Sequence, residues 1–169
     1  MMNKHLLTTS ASLLASLAFA AGSAQAATSN TATGSLQATI TITSNCSVSA
    51  GNAALDFGSN PSTASGASAS NGKFSVTCTN QTPYNIGLAG SSGKADGTGT
   101  MKSGSNTIDY QLYQAADMSQ AWGNTVGTNT QAKTGSGSAQ SYTVYGKTTT
   151  SLNVPAGTYT DTVAINVTY

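Results

Sequence analysis

Residues 74–79 read Phe-Ser-Val-Thr-Cys-Thr, and they decide the fold class because apolar side chains alternate with polar ones. Successive side chains of a β-strand point to opposite faces, so Phe74, Val76 and Cys78 would line one face. The serine and threonine between them would line the other face. Period-two alternation of β-branched and aromatic residues with polar ones is typical of a half-buried strand.

The same alternation recurs on both sides of this stretch, in short runs separated by Gly/Ser/Asn-rich loops at 59–72, 89–106 and 123–139. No run has the apolar spacing of a helix, and residues 115–122 are expected to form at most one helical turn. Several short strands with turn residues between them predict an all-β sandwich. The other runs contain Leu36 to Thr43, Cys46 and Val48, Leu55 and Phe57, Ile86 and Leu88, Ile108 to Tyr113, Tyr142 to Tyr145, and Tyr159 to Tyr169.

The N-terminal residues 1–26 have the three parts of a secretory signal peptide. Lys4 lies in a short basic start, a mainly apolar stretch follows to Ala21, and Ala24-Gln25-Ala26 forms a cleavage site. A transmembrane anchor is the competing interpretation, but the apolar stretch is short and contains several Ser and Thr residues. We therefore expect export and a mature chain of residues 27–169, which has the size of one domain.

The expected mature chain has few charges and no histidine, which excludes several classes of function. It has five Lys and five Asp residues and neither Arg nor Glu, and the sole histidine, His5, leaves with the signal peptide. Nucleic-acid binding needs clustered cationic charge, which is absent here. Catalytic triads need a base, and zinc sites need Cys or His clusters. We therefore expect no enzyme, metal, cofactor or small-molecule substrate.

Three individual residues were candidates for chemistry and are interpreted as structural. Asp109 and Asp161 both lie in strand-like runs, where they could form a catalytic carboxylate pair, but a solvated strand face is the expected position. Trp122 could bind a sugar or a surface. A single tryptophan among few aromatic residues more often covers a core, so we expect packing for Trp122.

The chain has two cysteines, Cys46 and Cys78. In an exported protein two cysteines allow one disulfide pairing, with two free thiols as the alternative. Such a bond would close a loop of about thirty residues and contribute on the order of 3 kcal/mol to stability.

Both ends of the mature chain carry strong strand patterns. The run at 33–43 alternates and precedes Cys46, and the last run, through Val163, Ile165 and Val167, reaches the final residue Tyr169. An amphipathic strand cannot bury its apolar face alone. The N-terminal run could add to a sheet edge of another subunit, or it could close its own sandwich; the residues themselves leave both possibilities open.

Seven short motifs follow one another between residues 55 and 163, and their order resembles one family. They are Leu-Asp-Phe-Gly at 55–58, Phe-Ser-Val-Thr-Cys-Thr at 74–79, Pro-Tyr-Asn-Ile-Gly-Leu at 83–88, Ile-Asp-Tyr-Gln-Leu-Tyr at 108–113, Trp-Gly at 122–123, Tyr-Thr-Val-Tyr-Gly at 142–146 and Pro-Ala-Gly-Thr-Tyr-Thr-Asp-Thr-Val at 155–163. The set resembles the spore coat protein U domain family, which includes the major subunits of Csu-type archaic chaperone–usher pili.

The resemblance implies an incomplete immunoglobulin-like sandwich that lacks its last strand and is completed by donor-strand complementation. A periplasmic chaperone would lend a strand, and an outer-membrane usher would exchange it for the N-terminal strand of the next subunit. Residues 33–43 would be the donor segment, and Cys46 and Cys78 would form the family's disulfide. The donor side chains facing the groove would be Leu36, Ala38, Ile40 and Ile42, and the groove wall would contain Val163, Ile165, Val167 and Tyr169.

The expected organisation is a signal peptide at 1–26, an N-terminal extension at 27–43 and a pilin domain at 44–169. The expected function is that of a structural pilus subunit at the cell surface, for attachment and biofilm formation. Its partners would be a chaperone, an usher and neighbouring copies of itself or related pilins. The alternative is a self-complemented, secreted, monomeric binding or adhesin module.

Overall fold

The structure is a computed structural model that describes residues 28–51 and 54–169. The predicted signal peptide, residues 1–26, lies outside the described residues. The chain divides into two units at Thr39 and Ile40. In this described part of the chain no helix is long and apolar enough to cross a membrane.

Regular structure in the described residues consists of eight strands, all in the unit that begins at Ile40. Every strand pairing is antiparallel. One sheet has five strands in the order β1-β2-β7-β5-β4, and the other has three in the order β6-β3-β8. The strands are β1 Cys46–Ser49, β2 Ser68–Cys78, β3 Pro83–Ala89, β4 Thr98–Ser103, β5 Asn106–Tyr113, β6 Gln131–Thr134, β7 Gln140–Thr148 and β8 Ala164–Thr168.

The core lies between the two sheets and is built from the alternate residues of their inner faces. Trp122 is fully buried and donates a hydrogen bond from Nε1 to the carbonyl oxygen of Ile86 at 2.9 Å. The expectation that this tryptophan serves packing is therefore confirmed. The other buried core members are Phe74, Val76, Cys78, Tyr84, Ile86, Leu88, Tyr110, Leu112, Tyr142 and Val144.

The disulfide joins Cys46 to Cys78, which lie directly opposite each other in the pairing of β1 with β2. Neither cysteine is free. Because β1 has only four residues, this covalent bond holds a short edge strand that main-chain hydrogen bonds alone would hold weakly.

Several local predictions differ from the structure. The predicted loops at 89–106 and 123–139 contain β4 and β6, and the predicted loop at 59–72 overlaps β2, which begins at Ser68. The run at Leu55 and Phe57 is irregular chain. Residues 115–122 contain turns but no helical turn. Both β4 and β6 are edge strands, so they bury fewer side chains and need no strict alternation.

The predicted strand at the N-terminal run does not form in this chain. Residues 28–45 have no regular secondary structure. A strand forms only where a neighbouring strand accepts its hydrogen bonds, so strand propensity alone is insufficient.

Candidate functional site

A long groove opens on one side of the unit that begins at Ile40. It consists of two adjoining cavities of about 580 and 630 Å³ that share Leu55, Phe57, Met101 and Tyr159 among their lining residues. We call residues 54–57 the first lip and residues 158–163 the second lip, because these two segments border the groove. No strand lies between them in the part of the chain that the structure describes.

The floor of the groove is the hydrophobic core itself. Buried side chains from both sheets line the cavity of about 580 Å³: Phe74, Leu88, Tyr110, Leu112 and Val144. Well-packed interiors seldom leave such a volume open, so this space is one that another apolar segment could fill. Lys73 and Asp161 are the charged side chains beside this floor, together with Asp56 of the first lip.

The first lip rests on two glycines of the five-stranded sheet. A Cβ at Gly146 would lie 2.9 Å from both Leu55 Cδ2 and Phe57 Cζ, and a Cβ at Gly72 would lie 3.3 Å from Leu55 Cδ1. The missing side chains therefore leave the room in which Leu55 and Phe57 sit. The ring of Phe57 also packs against Tyr110, with ring centroids 5.9 Å apart.

The second lip changes from one sheet to the other. Thr160 pairs with Lys102 of β4 through hydrogen bonds in both directions, at 2.9 and 3.1 Å. From Ala164 onwards the chain pairs with β3 instead. The crossing between the sheets therefore takes place at residues 161–163.

The predicted groove-wall residues lie in or beside β8, the strand that follows the second lip. Val163, Ile165 and Val167 are partly buried and pack against the core. Tyr169 lies beyond the end of β8 and is 57% exposed. The β8 strand pairs only with β3, so among the described residues its other edge has no strand partner.

The predicted donor side chains are exposed. Leu36 is 96%, Ile40 is 83% and Ile42 is 72% exposed, and Ala38 is also exposed. Large aliphatic side chains with this exposure lose most of the free energy that burial would supply. Ile40 and Ile42, which belong to the same unit as the groove, are not among the side chains that pack against the core beside Val163, Ile165 and Val167.

Of the charged side chains at the groove, Asp161 has the pKa that its surroundings shift. Burial favours the neutral carboxyl, but hydrogen bonds from Ser91, Tyr110 and Thr162 outweigh this effect and hold the pKa of Asp161 below its ordinary value of 3.8. Burial, the hydrogen bond to Asp161 and the charge of that carboxylate raise the pKa of the Tyr110 hydroxyl above its ordinary value of 10.0. Tyr110 is therefore the donor and Asp161 the charged acceptor at neutral pH.

This arrangement favours binding of an extended peptide over bond-making chemistry. It offers apolar depth, an unpaired strand edge and two carboxylates, Asp56 and Asp161, which both accept hydrogen bonds from within the chain. In residues 28–51 and 54–169, no group of three or more His, Cys, Asp or Glu side chains is placed to hold a metal ion.

Sequence reasoning missed two residues of this site, and its prediction for Asp161 was wrong. Asp161 is a partly buried acceptor outside any strand and does not lie on a solvated strand face. Asn71, whose side chain is hydrogen-bonded to the main chain of Asp56 in the first lip, was not singled out, and Gly146 was named only as the last residue of a motif. One signal was present: Tyr110 falls at an inward position of its run, and a buried tyrosine hydroxyl needs a partner. The expected mature chain has five aspartates, so the sequence could not predict which of them accepts the hydrogen bond from the Tyr110 hydroxyl.

Two antiparallel sheets around a core that is open along one edge define an immunoglobulin-like β-sandwich. The comparison with known structures bears this fold out. The fold is similar to one in the CsuC–CsuE chaperone–tip adhesion subunit pre-assembly complex from archaic chaperone–usher Csu pili of Acinetobacter baumannii. The TM-score is 0.54 at 22% identity, over 76% of this chain and 40% of the matched chain.

The family follows from the sequence match. The profile of the Spore Coat Protein U domain matches residues 32–166, which is most of the chain, and the chain belongs to this family. A second structure, a chaperone–tip adhesin complex of CFA/I fimbriae biogenesis, matches with a TM-score of 0.49 at 16% identity, over 73% of this chain and 41% of that chain. The chain thus spans less than half the length of these matched chains. No curated protein matches the sequence.

Proposed function

We propose that this protein is a structural pilus subunit that polymerises by donor-strand exchange, with the segment at 33–43 of one copy filling the groove of the next. The observation that carries the proposal is the coexistence of two unsatisfied features in one chain. One is an apolar groove beside the unpaired edge of β8, and the other is an exposed alternating segment that contains Ile40 and Ile42.

The chemistry of the two features is complementary. The donor segment has no charged residue, and its alternate side chains are Leu36, Ala38, Ile40 and Ile42. An added strand would pair its main chain with the free edge of β8 while these side chains enter the groove. Burying each large aliphatic side chain is worth about 1.5–3 kcal/mol, so the segment has enough apolar surface to offset the cost of its ordering.

The local geometry favours exchange between copies over closure within one copy. The main chain of Asn45 is hydrogen-bonded to Thr79 at 2.9 Å, and its N–H donates to Thr79 Oγ1 at 3.0 Å, which fixes where the chain enters β1. From there β1 runs away from Thr79, towards the groove. The preceding segment would have to reverse within Thr43 and Ser44 to reach the same groove, and neither is a residue type that tight hairpins favour.

The remaining parts of the proposal rest on the family and on the fold. Chaperone–usher pilus subunits of this fold meet a periplasmic chaperone first, so we infer a chaperone, an usher and further copies of this chain as partners. The predicted signal peptide fits export through the periplasm to the cell surface. Attachment and biofilm formation are the roles we infer for the assembled fibre.

The test is a denaturing gel of mature protein from the periplasm and the cell surface, run with and without boiling. Wild type should give a ladder that boiling removes. Ile40→Asp should be exported but leave no ladder, because an unpaired carboxylate in an apolar groove is costly. Val126→Asp is the matched control, since Val126 is also exposed and lies outside the donor segment and the groove.

Three outcomes separate the possibilities. A ladder from wild type and Val126→Asp alone supports donor-strand exchange with Ile40 in the groove. A normal ladder from Ile40→Asp contradicts this donor register. A single monomer band from wild type, with a version lacking residues 27–43 unfolded, contradicts polymerisation and indicates the self-complemented binding module.

A further inference from the structure

The side chain of Asp161 lies where the second lip crosses between the sheets. Thr160, on one side of it, is paired with β4 of the five-stranded sheet, and Ala164, on the other side, is paired with β3 of the three-stranded sheet. A chain that leaves one sheet for another gives up ladder hydrogen bonds at the crossing, so other groups must hold it there.

The carboxylate of Asp161 fixes the chain at this crossing by accepting four hydrogen bonds. Its Oδ2 accepts from the Tyr110 hydroxyl at 2.7 Å and from the Thr100 N–H at 3.3 Å. Its Oδ1 accepts from the N–H of Ser91 at 3.3 Å and of Thr162 at 2.8 Å. One side chain therefore ties the second lip to β5, to β4 and to the loop after β3.

Two glycines keep the space for this arrangement. A Cβ at Gly90 would lie 3.0 Å from Asp161 Oδ2 and 2.9 Å from the Cα of Gly99, and a Cβ at Gly99 would collide with the ring and hydroxyl of Tyr110. The hydroxyl can reach the carboxylate only because both positions lack a side chain. The Tyr110 ring also belongs to the floor of the groove, so the same contact joins floor and lip.

We propose that Asp161 is a positioning residue for strand uptake, which holds the second lip in the place that keeps the groove open before a donor segment enters. The proposal rests on the function proposed above. Among the described residues no hydrogen bond joins the first lip to the second, so the separation of the lips depends on how each is attached to the sheets beneath. Without the carboxylate, the second lip loses its hydrogen bonds to Tyr110, Thr100 and Ser91 at the crossing, and keeps there the packing of Val163 against the core.

A residue that keeps a site open acts on the rate of entry. If only a fraction of the molecules has an open groove, the apparent affinity for the donor segment is the intrinsic affinity multiplied by that fraction. The loss appears in the association rate, because a donor segment already seated in the groove makes the same contacts as before. A residue that touches the donor directly changes the dissociation rate instead.

The experiment uses the mature Ile40→Asp chain, which keeps its groove but cannot donate, and a labelled peptide of residues 33–43 as the probe. Association and dissociation rates are measured for this parent, for Asp161→Asn and for Tyr110→Phe in the same background. Asp117→Asn is the matched control, because the Asp117 carboxylate bonds only to Ser119 in its own turn. Thermal melting reports whether each variant is folded.

We expect Asp161→Asn to slow association about 10-fold, with dissociation changed less than about twofold, because hydrogen bonds to a charged group are the strong ones. Tyr110→Phe should slow association less, and should add little once Asp161→Asn is present, since both remove one shared bond. If Asp161→Asn does not fold, Tyr110→Phe alone carries the test.

The outcomes distinguish this inference from the proposed function. Unchanged association in folded Asp161→Asn, or an equal loss in Asp117→Asn, overturns the positioning role. A loss confined to dissociation also overturns it and assigns Asp161 to direct contact with the donor. If the peptide fails to bind the Ile40→Asp parent itself, the proposed function fails first and the inference fails with it.

Discussion

The side-chain amide of Asn71 pairs with the main chain of Asp56 as a neighbouring strand would. The N–H of Asp56 donates to Asn71 Oδ1 at 2.9 Å, and Asn71 Nδ2 donates to the carbonyl oxygen of Asp56 at 3.1 Å. Asn71 lies in a register irregularity of β2 between Ala69 and Gly72. Such irregularities redirect side chains, and this one directs an amide at the first lip of the groove.

Asn71→Ala should loosen the first lip. Two solvent-exposed hydrogen bonds are lost, so we expect the free energy of unfolding to fall by about 1 kcal/mol. Urea unfolding of the non-polymerising Ile40→Asp chain is the measurement. Asn153→Ala, in an exposed loop, is the control and should change stability by less than about 0.5 kcal/mol. Equal stability of the two variants would contradict a supporting role for Asn71.

The sequence predicts the strands that form the core and misses two of the four edge strands, β4 and β6. β2, β3, β5 and β7 bury alternate residues, so each carries the period-two pattern that reveals it. β4 and β6 each have one neighbour, and little of β6 is buried. A strand that buries few side chains does not require alternating apolar and polar residues. When its sequence is also rich in Gly and Ser, it cannot be distinguished from a loop.

The contacts that form the groove could not be predicted either, because they join residues that are far apart in the sequence. The alternation at 33–43 predicts that the segment can form a strand. It does not predict whether the strand that would pair with it belongs to the same chain or to another. The contact of Asp161 with Tyr110 spans 51 residues, and that of Asn71 with Asp56 spans 15. Neither has a local pattern, because each depends on how distant strands are placed in the fold.

Gly99→Ala should destabilise the subunit strongly. A methyl group at this position would collide with the buried Tyr110 ring, and that ring cannot move without losing its hydrogen bond to Asp161. Overpacking of this kind costs about 1–3 kcal/mol, to be measured by urea unfolding. Gly34→Ala is the control, since a Cβ there meets nothing within 4 Å. A stability loss in Gly34→Ala equal to that in Gly99→Ala would rule out the collision as the cause.

Cys46→Ser should lower stability by about 3 kcal/mol, because the disulfide closes a loop with a sequence separation of 32 residues. Cys78→Ser should cost more, because Cys78 is buried and its replacement would place a hydroxyl in the core. The double variant should match Cys78→Ser in stability to within about 0.5 kcal/mol, since either change alone removes the disulfide. Strictly additive losses would show that each cysteine acts by itself.

Acid should unfold the subunit partly through Asp161. Its pKa in the folded chain lies below the ordinary value of 3.8, so the ionised carboxylate stabilises the fold above that pH. This stabilisation is lost as the pH falls through the lowered pKa. The pKa of Asp96 is also lowered, through hydrogen bonds from Thr98, and contributes in the same direction. Urea midpoints of the Ile40→Asp chain should therefore fall between pH 5 and pH 2.

The matched comparison is the same series with Asp161→Asn added. This variant should be less stable at pH 7, because an amide replaces the charged acceptor, and it should lose less stability between pH 5 and pH 2, because one titrating group is gone. Asp117→Asn, whose carboxylate bonds only within its own turn, should follow the parent curve. If Asp161→Asn and its parent lose the same amount of stability on acidification, ionisation of Asp161 is not coupled to folding, and the charge of its carboxylate contributes no net stability.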